Sequence, residues 1–219
     1  FALDRQTIQV IDLPGIYTLD ASSLDERVTS DYLLSYEADV IINVLDANNL
    51  ERNLYLTVQM LEMNVPVIVA LNMMDVARRE GISIDIAKLS QQLGCPVVPV
   101  VAVTGEGLDD LKQAIRQIDA GADAGYPLAH DEVVEQAIAR LVPQLNPSLK
   151  TGQAHWLALK MLEDDPYAMR RADPALLDEI QRLRESIAER SGEDADILIA
   201  DTRFSHAHAL ATQVLHQKG

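Results

Sequence analysis

The chain has 219 residues, of which 48% are hydrophobic and 24% charged, proportions typical of a soluble globular protein with room for one large domain or two small ones. Its formal net charge of −16 argues against nucleic acid or an anionic lipid surface as a partner, because both need a cationic face. The one cysteine, Cys95, excludes a disulfide framework and fits a reducing cytoplasmic setting, and no apolar run approaches the ~20 residues of a membrane-spanning helix.

The N-terminal stretch predicts a short hairpin. Residues 1–3 and 7–11 have strand-like patterns, and Asp4-Arg5 between them predicts a tight turn. Because a chain seldom begins inside a hairpin, we expect further sequence upstream of Phe1.

A short polar motif, Asp12-Leu13-Pro14-Gly15, follows the second predicted strand. The Asp12 carboxylate can hold a Mg²⁺ ion through a bound water, and Gly15 lets the backbone come close to a phosphate oxygen because it has no Cβ. Motifs of the form D-x-x-G occur by chance in many proteins, so this one needs support from the rest of the chain.

The following hundred residues alternate between helical and strand patterns. Apolar spacing predicts helices over 24–35 (capped by Ser22 or Ser23), 50–64, 77–93 (with a break near Gly81) and 108–118. Nearly continuous apolar runs predict buried parallel strands over 38–45, 65–71 and 95–101, and Pro96 and Pro99 favour an edge position for the last. Residues 1–119 therefore predict an α/β domain with a mainly parallel sheet and flanking helices.

Three polar motifs stand where predicted strands end, at 12–15, 72–75 and 101–107. Ligands of open α/β sheets bind at the carboxyl ends of the strands. We therefore expect the three motifs to converge on one site, an arrangement far rarer by chance than any single motif.

The second motif, Asn72-Met73-Met74-Asp75, suits a guanine base. The Asp75 carboxylate can accept two N–H bonds from guanine, at N1 and at the exocyclic amine. Adenine offers no such pair and would leave the carboxylate unpaired, which is strongly penalised. We expect the Asn72 amide to tie neighbouring loops together.

The third motif is the loop after the last predicted strand, Val101-Ala102-Val103, followed by Gly105 and Gly107. We expect the backbone N–H of Ala102 to face the guanine carbonyl oxygen. The two glycines permit the tight turn before the next helix.

Together these residues resemble the third, fourth and fifth motifs of a small GTPase domain. Longer stretches closely resemble the cytoplasmic domain of the bacterial ferrous iron transport protein B family, namely Asp12-Leu13-Pro14-Gly15-Ile16-Tyr17, residues 44–54 and Ala70-Leu71-Asn72-Met73-Met74-Asp75. The resemblance covers most of residues 1–119 and continues more loosely to Ile199-Ala200-Asp201-Thr202-Arg203-Phe204.

This resemblance implies a small-GTPase-like domain that acts as a guanine-nucleotide switch and slow GTPase, the cytosolic part of a ferrous iron transporter at the bacterial inner membrane. GTP or GDP and Mg²⁺ are the implied ligands: Asp12 would serve Mg²⁺ through water, Gly15 the γ-phosphate, and residues 72–75 and 101–103 the base. Residues 16–35 would form the second switch, which reorders when the γ-phosphate leaves.

The implied partners are the membrane permease portion of the same polypeptide, small accessory iron-transport proteins and a second copy of the chain. Nucleic acid is not expected as a partner, given the acidity of the chain.

Two parts of the GTPase pattern are absent from the sequence. No G-x-x-x-x-G-K-[ST] phosphate loop occurs, and the threonine-bearing first switch is absent too. The first strand of the GTPase fold is central, so a domain without it would expose two strand edges in the middle of the sheet. We therefore expect upstream residues to supply these parts, with a degenerate or differently completed domain as the alternative.

Single positions depart from the pattern as well. Val101 stands where many GTPases have Ser, and Met73 where many have Lys. Ile16 follows Gly15, where Ras-like enzymes have a water-orienting Gln. We assign no catalytic residue, and we expect hydrolysis to be slow or to depend on backbone groups, the absent loops or a bound cation.

The second half of the chain predicts a small all-α domain. Residues 120–130 have the composition of a linker, and residues 131–219 predict helices over 131–142, 153–164, 173–190 and 194–217, the last of them continuous or broken. Asp173 before Pro174 predicts an N-cap followed by proline at the first helical position. The resemblance implies that this domain is regulatory.

Residues outside these motifs are expected to have plain structural roles. The histidines predict no metal site, because His206 and His208 do not share a helix face and His130, His155 and His216 are scattered. Core positions are expected for Cys95, Trp156 and Met161. The acidic run 163–165 predicts a solvated helix end, with a contact to Fe²⁺ left open.

Two other functions stay open at this point. One is a GTPase that acts in ribosome assembly or tRNA modification, which the acidity disfavours. The other is a non-enzymatic scaffold without a phosphate loop.

Overall fold

The computed structural model of the chain describes residues 2–3, 6–19, 24–35, 37–118 and 128–217. The predicted turn at Asp4-Arg5, the helix caps Ser22 and Ser23, and most of the predicted linker lie outside these residues. Within them, no helix is long and apolar enough to cross a membrane.

The first half alternates strands and helices as the sequence predicts. Its elements are β1 (Ala2–Leu3), β2 (Gln6–Thr7), α1 (Leu24–Leu34), β3 (Ile41–Asp46), α2 (Leu50–Glu62), β4 (Val67–Asn72), α3 (Met74–Arg79), β5 (Ile82–Ile84), α4 (Ile86–Leu93), β6 (Val97–Pro99) and α5 (Leu108–Gln117). A 3₁₀ turn, Ala47–Asn49, joins β3 to α2.

The main sheet is parallel, with the strand order β3-β4-β6. Ile41 pairs with Val67 at one end and Asp46 with Asn72 at the other, so the carboxyl ends of β3 and β4 are level. The apolar residues of β4 are buried on both faces, and β6 lies at an edge. The predicted α/β fold, the burial of β4 and the edge position of β6 are confirmed. The predicted burial of β3 was wrong for one face, since Ile42 and Val44 are exposed and only the alternate residues are buried.

Two local predictions for the first half were wrong. The predicted helix break near Gly81 contains a strand, β5, which pairs antiparallel with a strand near the C-terminus. The predicted strand over 7–11 continues only to Thr7, and Val10 is 68% exposed. Alternating apolar residues favour a strand only where a neighbouring strand completes the ladder, and among the described strands β2 pairs with β1 alone.

The second half is helical. It contains α6 (Glu132–Leu141), a 3₁₀ turn (Val142–Gln144), α7 (Thr151–Leu162), α8 (Pro166–Met169), α9 (Pro174–Ser191) and α10 (Ala195–Val214), followed by β7 (Leu215–Gln217), the partner of β5. Asp173 caps α9 through a bond from the Ala175 N–H, with Pro174 in the first turn, as predicted. The short helix α8 was not predicted.

The last helix packs onto the first half of the chain. The C-terminal half of α10 places four buried residues in the same core as β3, α2 and α4: Ala207, Leu210, Ala211 and Val214. Trp156 joins this core and Met161 a second core between the other helices, as expected for both. The predicted boundaries at 119 and 131 stay a prediction.

A buried arginine joins the two halves. Arg203 of α10 is 0% exposed. Its Nε lies 2.6 Å from Oε2 of Glu62, the last residue of α2, and its Nη1 lies 2.6 Å from Oε1 of Glu163, which follows α7. Burying one guanidinium between two carboxylates costs desolvation that only close, charge-assisted bonds can offset.

Further polar groups complete this cluster. His130 Nε2 lies 2.7 Å from Glu62 Oε1, and because a carboxylate can only accept, Nε2 carries the hydrogen. Lys160 Nζ lies 3.2 Å from Glu163 and 3.4 Å from Asp165. The prediction of a solvated acidic helix end was therefore wrong for Glu163 and Asp165, since both side chains are paired and are only 9% and 6% exposed, and Asp165 also caps α8. Sequence spacing gave no sign of Arg203, the distant partner of Glu163.

The network lowers the pKa of both glutamates. Burial alone would raise the pKa of Glu62, but the charge of Arg203 and the bonds from His130 and Arg203 bring it below its ordinary value. Burial also opposes ionisation of Glu163, and Arg203 with Lys160 lowers its pKa in the same way. Both carboxylates are therefore ionised at neutral pH.

We expect Arg203→Met to lower the free energy of unfolding by about 3–5 kcal/mol at neutral pH, because two carboxylates would stay buried without their shared cation. Urea denaturation followed by circular dichroism measures this loss. The control is Arg182→Met, because the Arg182 side chain is 70% exposed in its ion pair with Glu179. This substitution should lower the free energy of unfolding by less than about 1 kcal/mol. Equal losses in the two variants would contradict a role for Arg203 beyond an ordinary ion pair.

The stabilisation by Arg203 should also depend on pH. A carboxyl group whose pKa is lowered by folding stabilises the protein above its unfolded pKa, and this contribution is lost as the pH falls through the folded pKa. The difference in unfolding free energy between the wild type and Arg203→Met should therefore be largest above about pH 6 and shrink below about pH 4. Denaturation curves at a series of pH values would refute this if the difference stayed constant.

Candidate functional site

The second sequence motif lies at the carboxyl end of β4. Asn72 ends the strand opposite Asp46, and the chain turns at Met73, whose φ of 63° is left-handed. Met74 is buried and begins α3, so Asp75 in the first turn carries an exposed carboxylate. A left-handed non-glycine residue costs about 1 kcal/mol, which the burial of Met74 helps to offset.

A hydrogen bond joins the second and third motifs. The backbone N–H of Ala102 donates to Asn72 Oδ1 at 3.1 Å. The amide of Asn72 therefore ties the two loops together, as the sequence predicts. The same bond occupies the N–H of Ala102 that we expected to face a guanine carbonyl, so in this arrangement a base would have to share or replace it.

The loop after β6 is closed by its own backbone. The Val101 N–H donates to the Glu106 carbonyl at 3.0 Å, and the Gly105 N–H donates to the Val101 carbonyl at 2.9 Å. Val101 is buried, whereas Val103 is 99% exposed at the tip. The loop thus presents residues 102–103 to solvent beside Asn72.

Only glycine fits at one position of this loop. Gly105 and Gly107 both have a φ of +81°, but a Cβ on Gly107 would collide with the Pro99 carbonyl oxygen, whereas one on Gly105 would meet only Leu108 Cδ1 at 3.8 Å. Gly107 lets the chain leave β6 and begin α5 at Leu108.

The first motif is held by α1. Asp12 and Gly15 are exposed, and an added Cβ on Gly15 would meet no atom within 4 Å. The Thr29 hydroxyl donates to the Pro14 carbonyl at 3.1 Å, and Leu13 packs against the core. No strand ladder among the described residues joins this motif to β3, so its convergence with the other two motifs stays a prediction.

The segment after this motif is fixed to α2. Gln59 Oε1 accepts bonds from the Leu19 N–H at 3.0 Å and the Thr18 hydroxyl at 3.3 Å. The guanidinium of Arg52 lies 3.9 Å from the centroid of the Tyr17 ring. The beginning of the predicted second switch therefore rests on the helix that also carries Glu62.

Sequence reasoning missed a polar cluster at the end of β3. Asp46 Oδ1 accepts bonds from the backbone and side-chain N–H groups of Asn48, both at 2.9 Å, and Oδ2 accepts from Asn49 Nδ2 at 2.7 Å. Burial would raise the pKa of Asp46, but these bonds lower it. The signal for this cluster was the strand-end run Asp46-Ala47-Asn48-Asn49.

A cavity of about 720 Å³ was missed as well, because its walls are distant in sequence. It lies between the segment of Tyr17, the start of α2 and the side of α10 that carries Phe204. Tyr55 and Phe204 face each other in it at a centroid distance of 5.3 Å.

The remaining polar candidates have structural roles. His208 Nδ1 lies 2.9 Å from Glu51, and burial lowers the pKa of His206. Cys95 is buried, and burial raises its pKa to about 12. No group of three or more His, Cys, Asp or Glu suited to a metal ion occurs in the described part of the chain.

Two family models match the chain. Residues 1–115 match the model described as ferrous iron transport protein B, and residues 130–216 match that of the FeoB cytosolic helical domain. The chain belongs to the ferrous iron transport protein B family. The first match covers more than half of the chain and includes all three sequence motifs.

Individual relatives agree with this assignment. The Fe(2+) transporter FeoB of Escherichia coli K12 is 40% identical over 222 residues, which are 98% of this chain and 28% of that protein. The cytosolic domain of L. pneumophila FeoB is 35% identical with a TM-score of 0.85, covering 99% of this chain and 84% of that one. NFeoB from S. thermophilus bound to GDP·AlF4⁻ and K⁺ is 36% identical with a TM-score of 0.84, covering 92% and 79%.

We expect Gly107→Ala to lower the free energy of unfolding by about 3 kcal/mol or more, because it combines a left-handed φ with a steric clash against backbone. Gly105→Ala, with the same φ and open space, should cost only about 1 kcal/mol. Urea denaturation of the two variants side by side checks this. Equal losses would show that the clash is relieved by a shift of the loop.

Proposed function

We propose that the chain is a guanine-nucleotide switch and slow GTPase that forms the cytosolic part of a ferrous iron transporter. The observation that carries this proposal is the bond from Ala102 to Asn72, which brings the loop 101–103 beside a motif whose Asp75 carboxylate is exposed. The family assignment and the GDP-bound S. thermophilus structure support it.

The base would be read by the second and third motifs. Asp75 offers only acceptors, which matches the N1–H and exocyclic amine of guanine and no pair of groups on adenine. Met73, 42% exposed, would cover one face of the base with its thioether. The hydrogen bond from the Ala102 N–H to Asn72 holds the loop 101–103 beside this motif, and a guanine carbonyl would share or replace it.

The phosphate end would use the first motif. The exposed carboxylate of Asp12 is a ligand type that Mg²⁺ prefers, and would act through a bound water. The open space at Gly15 suits close approach of a γ-phosphate oxygen. Ile16 packs against the core and has no group that could orient water, so hydrolysis should be slow.

A change at the phosphate would reach the helical half through α2. Residues 16–35 would reorder as the second switch, and Gln59 connects their first part to α2. Glu62, one turn after Gln59 at the C-terminal end of α2, is bonded to Arg203 of α10. On this proposal residues 1–119 are the nucleotide domain, 120–130 the linker and 131–219 a regulatory domain.

The whole protein would extend beyond these residues. The chain spans 28% of the length of the FeoB relatives it matches. We infer that a membrane permease portion lies on the same polypeptide, that the domain works at the cytoplasmic face of the inner membrane, and that accessory iron-transport proteins or a second copy are its partners.

The proposal is tested by calorimetric titration with GDP and Mg²⁺, with ADP as control. We expect binding of GDP and none of ADP. We also expect Asp75→Asn to weaken GDP binding by about 100-fold or more, because an amide cannot accept both N–H bonds. The same variant should gain binding of xanthosine diphosphate, whose C2 carbonyl accepts a bond from the new amide.

Asp109→Asn is the control for that substitution, since Asp109 is an exposed carboxylate on α5 whose partner is Lys112. It should leave GDP binding unchanged. A folded protein that carries the expected phosphate loop and ignores GDP would refute the nucleotide switch and leave a binding scaffold.

A further inference from the structure

An exposed ion pair joins the two elements of the proposed base site. Arg78 Nη2, in the last turn of α3, lies 2.6 Å from Oε1 of Glu106 in the loop after β6. The two side chains are 55% and 52% exposed. The contact crosses between segments that are 28 residues apart in sequence.

Each partner of this ion pair is connected through the backbone to a residue of the proposed base site. Arg78 stands one helical turn after Asp75 on α3, and the carbonyl of Glu106 accepts the Val101 N–H that closes the loop of Ala102. A displacement of Glu106 would therefore move Ala102, and a displacement of α3 would move Asp75.

The charges of two carboxylates act on Arg78. The hydrogen bond from Arg78 to Glu106 and the charge of Glu106 raise the pKa of the guanidinium, and the charge of Asp75 adds to the effect. Without this cation, the loop that carries Glu106 and the helix that carries Asp75 would present like charges to each other.

We propose that Arg78 and Glu106 are positioning residues for base recognition, whose ion pair holds the Ala102 loop at the spacing from Asp75 that a guanine requires. This inference rests on the proposed function, because it assigns the pair to the same nucleotide site. The Asn72–Ala102 bond fixes the near end of the loop, and the ion pair fixes its far end.

Charge reversal tests the pair. Arg78→Glu and Glu106→Arg each replace an attraction with repulsion, and the double reversal restores an attraction of opposite polarity. Each single variant should release a fluorescent GDP analogue about three- to tenfold faster, and the double variant should return to within about twofold of the wild type.

A second readout separates positioning from general destabilisation. Inosine diphosphate lacks the exocyclic amine from which Asp75 would accept a bond, so the ratio of GDP to IDP affinity reports the placement of Asp75. This ratio should fall in the single variants and recover in the double variant. A purely structural loss would weaken both nucleotides equally.

Hydrogen exchange at amides 101–107 gives a third readout that needs no nucleotide. It should be faster in the single variants and normal in the double variant. The matched control is Arg140→Glu, which breaks an ion pair of the same 2.6 Å length between α6 and α9 and should change none of the three readouts.

The outcomes separate this inference from the proposed function. The positioning role is overturned if the single charge reversals change neither hydrogen exchange nor GDP release. It is also overturned if the double reversal fails to restore the wild-type exchange and release rates. A wild-type protein that carries the expected phosphate loop and binds no GDP refutes the nucleotide site, and hydrogen exchange then still decides whether the pair holds the loop.

Discussion

The guanidinium of Arg203 lies between the carboxylates of Glu62 and Glu163, with nitrogen–oxygen distances of 2.6 Å to each, in a place closed to solvent. One arginine thereby joins α2, α7 and α10. His130, just before α6, connects the beginning of the helical half to the same carboxylate through its hydrogen bond to Glu62. Such a group can be buried only if every charge has a partner, so the relative placement of these helices is fixed by the geometry of a planar guanidinium.

The helix α2 links this network to the candidate switch. It carries Glu62 at its C-terminal end, Gln59 one turn earlier, and Arg52 near its start. Gln59 and Arg52 hold residues 17–19, which follow the Asp12–Gly15 motif. A shift of that segment would therefore act on a helix that is bonded to α10 through Glu62 and Arg203. These contacts of α2 are the physical basis for the proposal that the helical half responds to the nucleotide.

The proposed base site is built differently. It depends on backbone constraints close in space: the left-handed turn at Met73, the closed loop between Val101 and Glu106, and the contact of Gly107 with Pro99. Two hydrogen bonds then link these elements across the end of the sheet: the Ala102 N–H donates to the Asn72 side chain, and the Arg78 side chain donates to Glu106. Rigid strand ends with polar cross-links are suited to discrimination between bases, since a site that cannot adapt penalises a wrong hydrogen-bond pattern.

The sequence alone is enough to predict the alternation of strands and helices, the parallel strands and most helix bounds, and to locate the three motifs, because these follow from local periodicity and turn chemistry. It also determined that Asn72 would join neighbouring loops. Three features required the tertiary structure: the pairing of β5 with β7, the packing of α10 on the first half, and the removal of the Glu163 and Asp165 side chains from solvent. The reason is physical: an acidic run looks solvated until a cation from a distant helix meets it, and Arg203 follows Glu163 by 40 residues and Glu62 by 141.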